Sequence, residues 1–305
     1  MALTPMMQQY MEVKNKYKDC ILFYRLGDFY EMFFDDALTA SRELELTLTG
    51  RDCGLRERAP MCGVPYHAVE TYLDRLIEKG YKVAICEQME DPALAKGLVQ
   101  RDVIRVVTPG TVIESGMLDE RSNNFLLSVC FSGEKAGLAF ADVSTGEFFV
   151  HQVEDAGRTL ADEVTRISPV EIIASDLVRL REYVNRDDLS MSERPGTTFQ
   201  YQNASETLCK HFHLQDLSPL GLTDEYRLAA QAAGALMRYL DETQKNALEH
   251  ITELRIYQGG DTMLLDRNTR RNLELTGTIR GGKSRRGSLL GVLDQNEQLP
   301  SVRAL

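Results

Sequence analysis

The residue types best suited to a chemical role on a surface lie in the stretch RLGDFYEMFF, residues 25–34, which holds four aromatic rings within ten positions. Asp28 and Glu31 interrupt the rings. Alternate residues of a strand project from the same face, so a strand here would place Phe29 and Glu31 side by side. A ring offers a flat surface for stacking, and an ionised carboxylate accepts hydrogen bonds. Two interpretations follow: an exposed binding pair, or a core phenylalanine next to a solvated glutamate.

A second motif, GTIRGGKS, begins at Gly277, ends at Ser284 and fits the phosphate-binding pattern G-x-x-x-x-G-K-[ST]. In that pattern backbone amides and the lysine, here Lys283, hold the phosphates, and the hydroxyl residue, here Ser284, holds Mg²⁺. The pattern requires an apolar strand before it and a helix after it. Here Arg270 and Arg271 precede it and RRGS follows. We therefore interpret the motif as an exposed basic turn and not as a nucleotide site; a P-loop enzyme that uses Lys283 is the alternative.

A third candidate is Asp142 in GLAFADVSTGE, because nucleases gather several carboxylates around two metal ions. Its sequence neighbour is Glu147, and the later segments add three acids without forming a convincing second cluster: Asp162, Glu163 and Glu171. A metal-dependent nuclease centred on Asp142 is thus an alternative. The prediction is a scaffold with neither a catalytic residue nor a metal site.

Bulk composition narrows the class of protein. The chain has 305 residues, 43% hydrophobic and 27% charged, which is typical of globular domains and not of disordered or fibrous chains. No apolar run approaches the ~18–20 residues of a membrane span, and MALTPMMQQY has no signal-peptide pattern. Six scattered cysteines without a CxxC pair indicate reduced thiols. We expect a cytoplasmic protein without a membrane partner.

The charge balance argues against indiscriminate nucleic-acid binding, because the formal net charge is −11 and the pI about 5.1. The charge is uneven, however: residues 267–286 hold seven basic side chains against one acid. Such a patch suits either a positioned phosphate contact or a solvated helix face.

Periodicity and turn signals predict two α/β units. In the first we expect a helix over 5–18, two strands separated by Gly27 and Asp28, a helix over 35–48, a loop to about 65, a helix closed by Gly80, and strands through Val83 and over 102–111. In the second, after a polar linker at 119–124, we expect three antiparallel strands, a helix over 156–167, a strand near 170–175 and a helix over 223–244. This second order of elements resembles a ribonuclease H-like domain. From residue 251 onward the chain is predicted to be helical and basic.

The combination of TPMMQQY, RLGDFYEMF, ELTLTGRD, PMCGVPYHAVETYLDRLIEKGYKVAICEQMEDP, VIRVVTPGT and MLLDRNTRRNLELTGTIRGGKSRRGSLLGVLDQ resembles the MutS family of bacterial DNA mismatch-repair proteins. The resemblance runs from residue 4 to about 295; the tail NEQLPSVRAL departs from it, so we expect a truncated chain. It implies a mixed-sheet mismatch-recognition domain at 1–118, a ribonuclease H-like connector at 119–242, and the start of a helical core or lever domain at 243–305.

The resemblance also implies roles. Phe29 would stack as a wedge on a mispaired or unpaired base in the minor groove, and Glu31 would hydrogen-bond to that base. Other residues that would lie near DNA are Arg51, Arg56, Arg58, Met61, Gly63 and Arg105. The partners would be mismatched double-stranded DNA, a MutL-like protein at the connector and, for whole family members, a second copy. ATP and Mg²⁺ would belong to an ATPase domain outside this chain, which is expected to need no cofactor and to be no enzyme. A module that binds only a MutL-like partner is the alternative.

Overall fold

The computed structural model describes residues 3–90, 97–119, 122–186, 188–245 and 248–257, with 269, 272–275, 278 and 287–293. The chain divides into a first unit, residues 1–118 with 240–248, and a second unit, residues 119–239 with 249–305. Each unit contains a six-stranded sheet with helices. The α/β fold class predicted from the sequence is therefore confirmed.

The sheet of the first unit is mixed. Its strands are β1 (Ile21–Leu26), β2 (Phe29–Phe33), β3 (Thr49–Arg51), β4 (Ala59–Pro65), β5 (Val83–Gln88) and β6 (Arg101–Val107). Their spatial order is β3-β4-β2-β1-β5-β6, in which only β1 and β5 run parallel. The hairpin of β1 and β2 is thus central, and its turn is Gly27-Asp28, as the sequence predicts.

Three helices cover the two faces of this sheet: α1 (Pro5–Lys16), α2 (Phe34–Leu44) and α3 (Val69–Glu78). Thr4 caps α1 through its side-chain oxygen, and Pro5 suits the first turn because its missing N–H would have no helical partner. Alternation along β1 sends Leu22 and Tyr24 into the core beneath α1. Phe23 points into the opposite core, which contains buried residues of α2 and α3.

Three features of the first unit differ from the sequence prediction. The strand expected over 102–111 ends at Val107, because Thr108 caps and Pro109 begins the 3-10 helix Pro109–Thr111. Helix α2 ends at Leu44 and not at residue 48, because Glu45 adopts a left-handed backbone that stops the helix. The loop expected up to about residue 65 contains β3 and β4. Gly and Pro in this segment indicate a loop, yet Pro60 and Pro65 lie near the two ends of β4, where a strand tolerates a missing N–H.

The second unit has the strands β7 (Leu126–Ser132), β8 (Lys135–Asp142), β9 (Glu147–Val153), β10 (Glu171–Ala174), β11 (Ser190–Glu193) and β12 (Arg255–Ile256). Their order is β11-β10-β7-β8-β9-β12. The antiparallel meander β7–β9 and the strand β10 agree with the predicted elements, and the structure adds that β10 runs parallel to β7. The short β12 pairs parallel to β9, although the sequence predicts only helix from residue 251 onward; two residues are too few to show a strand period.

Within the described ranges, the helices with assigned bounds in this part of the chain are α4 (Ala156–Ile167), α5 (Leu177–Tyr183), α6 (Tyr201–Phe212), α7 (Arg227–Gln244) and α8 (Leu289–Leu293). α4 and α5 cover one core of the second unit's sheet. Short 3-10 helices in the two units are Tyr66–Ala68, Pro109–Thr111, Ser115–Met117, Gly196–Phe199, Ser218–Leu220 and Asp224–Tyr226. Within the described ranges, the helices lack the combined length and apolar character that crossing a membrane would require.

Candidate nucleic-acid interface

The β1–β2 hairpin presents Phe29 to solvent. Gly27 adopts a backbone φ of 59°, a left-handed conformation that costs glycine little, and so closes the turn tightly. Leu26 then pairs with Phe29, the first residue of β2. The Phe29 side chain is 47% exposed, so it is not a core ring.

The strand period separates the aromatic residues of β2 by role. Phe29, Glu31 and Phe33 lie on one face, and Tyr30 and Met32 lie on the other, within the core of α2 and α3. Phe33 is buried because it packs edge-on against a ring of α1, that of Tyr10, with centroids 5.0 Å apart. This strand face is therefore buried in the core at Phe33 and exposed to solvent at Phe29.

Glu31 lies in the half-buried middle of this face. Its Oε2 accepts a hydrogen bond from Nη1 of Arg51, and the two charges form an ion pair. Gly63 is the β4 partner of Glu31; a Cβ atom there would lie 3.2 Å from the Tyr30 carbonyl oxygen and 3.5 Å from the Glu31 Cγ. Glycine at this position therefore lets β4 lie close to Tyr30 and Glu31 of β2, where a larger residue would crowd the strand.

A second exposed ring adjoins the hairpin, and the sequence reasoning did not single it out. The backbone N–H of Tyr66 donates to the Asp28 carbonyl oxygen over 3.0 Å, and its side chain is 42% exposed. The guanidinium carbon of Arg25 lies 3.8 Å from the centroid of the Tyr66 ring. Arg25 also pairs with Glu87 at 3.4 Å. Arg25 is the β1 partner of Tyr30 and also lies over its ring, so Tyr66 and Arg25 belong to the face opposite Phe29 and Glu31.

Tyr30 anchors the opposite face of the hairpin. Its hydroxyl donates to Oε1 of Glu87. Burial, followed by the neighbouring Glu87 carboxylate, raises the pKa of Tyr30 well above its usual range. The phenol therefore stays protonated and keeps the hydrogen bond to β5, which fixes the strand that carries Phe29 and Glu31.

The other residues expected near DNA occupy different surroundings. Arg56 and Arg58 are exposed in the segment between β3 and β4. Met61 is half-buried on β4 against the core beneath α1. Arg105, on the edge strand β6, pairs with Glu114 through a 2.5 Å contact. Of the predicted set, the structure brings Phe29, Glu31, Arg51 and Gly63 together around one open face.

The carboxylates considered for a nuclease have structural partners. Asp142 is fully buried, and its oxygens accept hydrogen bonds from the Asn124 and Ser144 backbone N–H groups and from the Ser144 hydroxyl. These bonds fix the turn that follows β8. Partners of the neighbouring acids are Asn123 for Glu147, Arg166 for Glu163 and Tyr239 for Glu171. Among the described residues there is no group of three or more His, Cys, Asp or Glu side chains able to hold a metal.

The glycine-rich motif that begins at Gly277 falls on a part of the chain that the structure leaves undescribed. Of its eight residues only Thr278 is described, so Gly277, Lys283 and Ser284 lie outside the described residues. Most of the basic run at 267–286 lies outside them as well. The interpretation of this motif as an exposed basic turn, and not a nucleotide site, therefore stays a prediction.

Most of the cysteines are buried thiols. All six are free thiols, and five of them are buried. Burial raises the pKa of Cys20 and of Cys86 to about 12, so these thiols are protonated and unreactive at neutral pH.

The described chain is a mixed-sheet unit that presents a ring and a carboxylate from a central hairpin, and a second α/β unit follows it. Residues 4–116 match the family model for MutS domain I, and residues 124–252 match the model for MutS domain II. The chain belongs to the MutS family.

Relatives named DNA mismatch repair protein MutS match nearly the whole chain. That of Ruminiclostridium cellulolyticum is 54% identical over 301 residues, covering 96% of this chain and 34% of the relative. That of Lachnoclostridium phytofermentans is 50% identical over 308 residues, with 99% and 33% covered. That of Symbiobacterium thermophilum is 50% identical over 309 residues, with 99% and 35% covered. The chain thus spans about a third of the length of the curated relatives it matches.

Proposed function

We propose that this chain recognises mispaired or unpaired bases in duplex DNA, with Phe29 as the stacking wedge and Glu31 as the hydrogen-bonding partner of the displaced base. The observation that carries the proposal is the 47% exposure of Phe29 at the open end of a strand face that is otherwise core. An apolar ring held in solvent by a rigid hairpin suits a ligand with a flat apolar face, and a nucleobase has one.

The physical basis of discrimination is deformation. Inserting a side chain between base pairs costs a few kcal/mol of unstacking, and this cost is smaller where pairing is already broken. A wedge therefore binds a mismatch more tightly than a matched step without reading a sequence.

Glu31 would increase the difference in affinity between mismatched and matched DNA in two ways. Its carboxylate accepts a hydrogen bond from a base edge that a mismatch has released from pairing. Its negative charge is repelled by the phosphates of any duplex, which weakens binding to intact DNA. The net charge of −11 acts in the same direction, so the affinity of this chain for matched DNA should be weak and salt-sensitive.

We propose a separate role for each region of the chain, and we assign ATP binding and dimer formation to whole-length family members. Residues 1–118 would form the recognition domain and 119–242 the connector that meets a MutL-like partner. Residues 243–305 would begin a helical core. ATP and Mg²⁺ binding and homodimer formation would be properties of whole-length members, and we propose no catalytic step for this chain.

The test is a comparison of two duplexes that differ by one unpaired thymidine, titrated with the 305-residue chain at low ionic strength and followed by fluorescence anisotropy. The unpaired-base duplex should bind several-fold more tightly. Phe29→Ala should bring the ratio of the two affinities close to one. Val178→Ala, which truncates an apolar side chain 71% exposed on α5, is the matched control and should leave the ratio unchanged.

Equal affinity of the wild-type chain for both duplexes would contradict the proposal, as would an unchanged ratio in Phe29→Ala. A third outcome is that the wild-type chain and Phe29→Ala bind a MutL-like protein equally while neither prefers the unpaired-base duplex. The chain would then be a module that binds only a MutL-like partner.

A further inference from the structure

The ion pair between Glu31 and Arg51 joins two residues expected to act separately on DNA. Arg51 ends the short edge strand β3, and Nη1 of its guanidinium contacts Oε2 of Glu31. The Arg51 side chain is 38% exposed and the Glu31 side chain is 16% exposed, so the pair lies at the border of the open face. An arginine held in this way is not free to act as an independent phosphate contact.

The pair leaves one oxygen of the carboxylate available. Within the described residues, Oε1 of Glu31 receives no hydrogen bond, whereas Oε2 is held by Arg51. Holding one oxygen of a carboxylate fixes the direction of the other, because the group is planar and rotates about a single bond.

Arg51 is itself held in place. Its guanidinium carbon lies 6.0 Å from the centroid of the buried Phe33 ring, and its backbone pairs with Ala59 on β4. The guanidinium therefore lies near the packed end of the strand face, at Phe33, and reaches Glu31 in the half-buried middle.

We propose that Arg51 is the positioning residue of Glu31: by holding Oε2 it aims the free Oε1 at the displaced base. This proposal rests on the function proposed above. A bare carboxylate beside phosphates would turn away from the duplex, whereas a paired one stays where a base can reach it. Arg51 thus sets mismatch preference through Glu31, and loses that role when Glu31 is absent.

The experiment measures the ratio of affinities for the unpaired-base and matched duplexes in four proteins: wild type, Arg51→Ala, Glu31→Ala and the double variant. Arg51→Ala should lower the ratio several-fold in the Glu31 background and leave it unchanged in the Glu31→Ala background. Arg51→Lys, which keeps the charge without the planar fork, should retain overall affinity while losing part of the preference.

The salt dependence gives a second readout. In Glu31→Ala the released Arg51 can reach a phosphate, so the slope of log affinity against log salt should steepen by ~0.9 for the matched duplex. The double variant should return to the wild-type slope. Arg58→Ala is the matched control: in the described part of the chain Arg58 is exposed and lacks an ion-pair partner, so its loss should weaken both duplexes equally.

The outcomes separate the two proposals. If Phe29→Ala abolishes the preference but Arg51→Ala weakens both duplexes by the same factor, Arg51 is a phosphate contact and the inference is wrong while the proposed function stands. If Phe29→Ala leaves the preference intact, the proposed function itself fails. Circular dichroism of each variant checks folding; should Arg51→Ala unfold, Arg51→Lys supplies the same comparison.

Discussion

Phe29 and Phe33 offer a matched test of the exposed wedge, because they lie on the same strand and the same face yet differ in burial. Phe33 is 1% exposed and packs edge-on against Tyr10. Truncating a buried phenylalanine to alanine costs ~3–5 kcal/mol. Phe29 is 47% exposed, and full burial of such a side chain contributes about 1.5–3 kcal/mol, so its truncation should cost ~1 kcal/mol.

Thermal unfolding followed by circular dichroism distinguishes these costs. For a domain of this size, ~1 kcal/mol moves the midpoint by ~4 °C. Phe33→Ala should therefore lower the midpoint of the first unit's transition by more than ~10 °C, which also identifies that transition. Phe29→Ala should move it by only a few degrees. A shift in Phe29→Ala as large as that in Phe33→Ala would refute the reasoning, since it would make Phe29 a core ring.

Two further predictions concern charge. Anisotropy titrations at increasing salt should show the affinity for matched DNA falling steeply, because contacts to phosphate dominate it; tight binding that persists at physiological salt would contradict this. In the second unit, burial lowers the pKa of His151, outweighing the opposing effect of the Glu163 carboxylate. The folded state thus favours the neutral ring, and stability should be lost as pH falls below ~6.5, where the unfolded chain takes up the proton first. Between about pH 7.5 and about pH 5.5, a range that brackets the pKa of an unfolded histidine, the thermal midpoint of His151→Gln should fall by less than that of the wild type. Equal falls would show that His151 does not cause the loss of stability.

The local features of the interface could be predicted from the sequence. Gly27-Asp28 between two apolar runs indicates a tight turn, and the strand period then places Phe29 and Glu31 on one face. The secondary-structure prediction was wrong where the local residue preferences conflict with the pairing of strands in the sheet. The segment of β3 and β4 has the Gly, Pro and Arg content of a loop, and only its neighbours in the sheet make it strand.

The long-range features could not be predicted in this way. Arg51 and Glu31 are twenty residues apart, and only the β3-β4-β2 order lets the guanidinium reach the carboxylate. The same applies to Arg25 and Tyr66, which meet because β4 ends at Pro65, opposite Phe29, and Tyr66 then bonds to the hairpin turn through the Asp28 carbonyl. Exposure also depends on tertiary packing: α1 covers Phe33 through Tyr10 and leaves Phe29 open, a difference that the residue types alone do not contain.

The most direct measurement of the central claim reports on base stacking at the unpaired position itself. A duplex carrying 2-aminopurine next to the unpaired thymidine is titrated with the chain, and the fluorescence of the probe, which rises when the base is unstacked, is recorded. We expect a saturable rise with the wild-type chain and with Val178→Ala, and none with Phe29→Ala under conditions where binding is complete. An equal rise with Phe29→Ala would show that another group opens the stack and would contradict the assignment of Phe29 as the wedge.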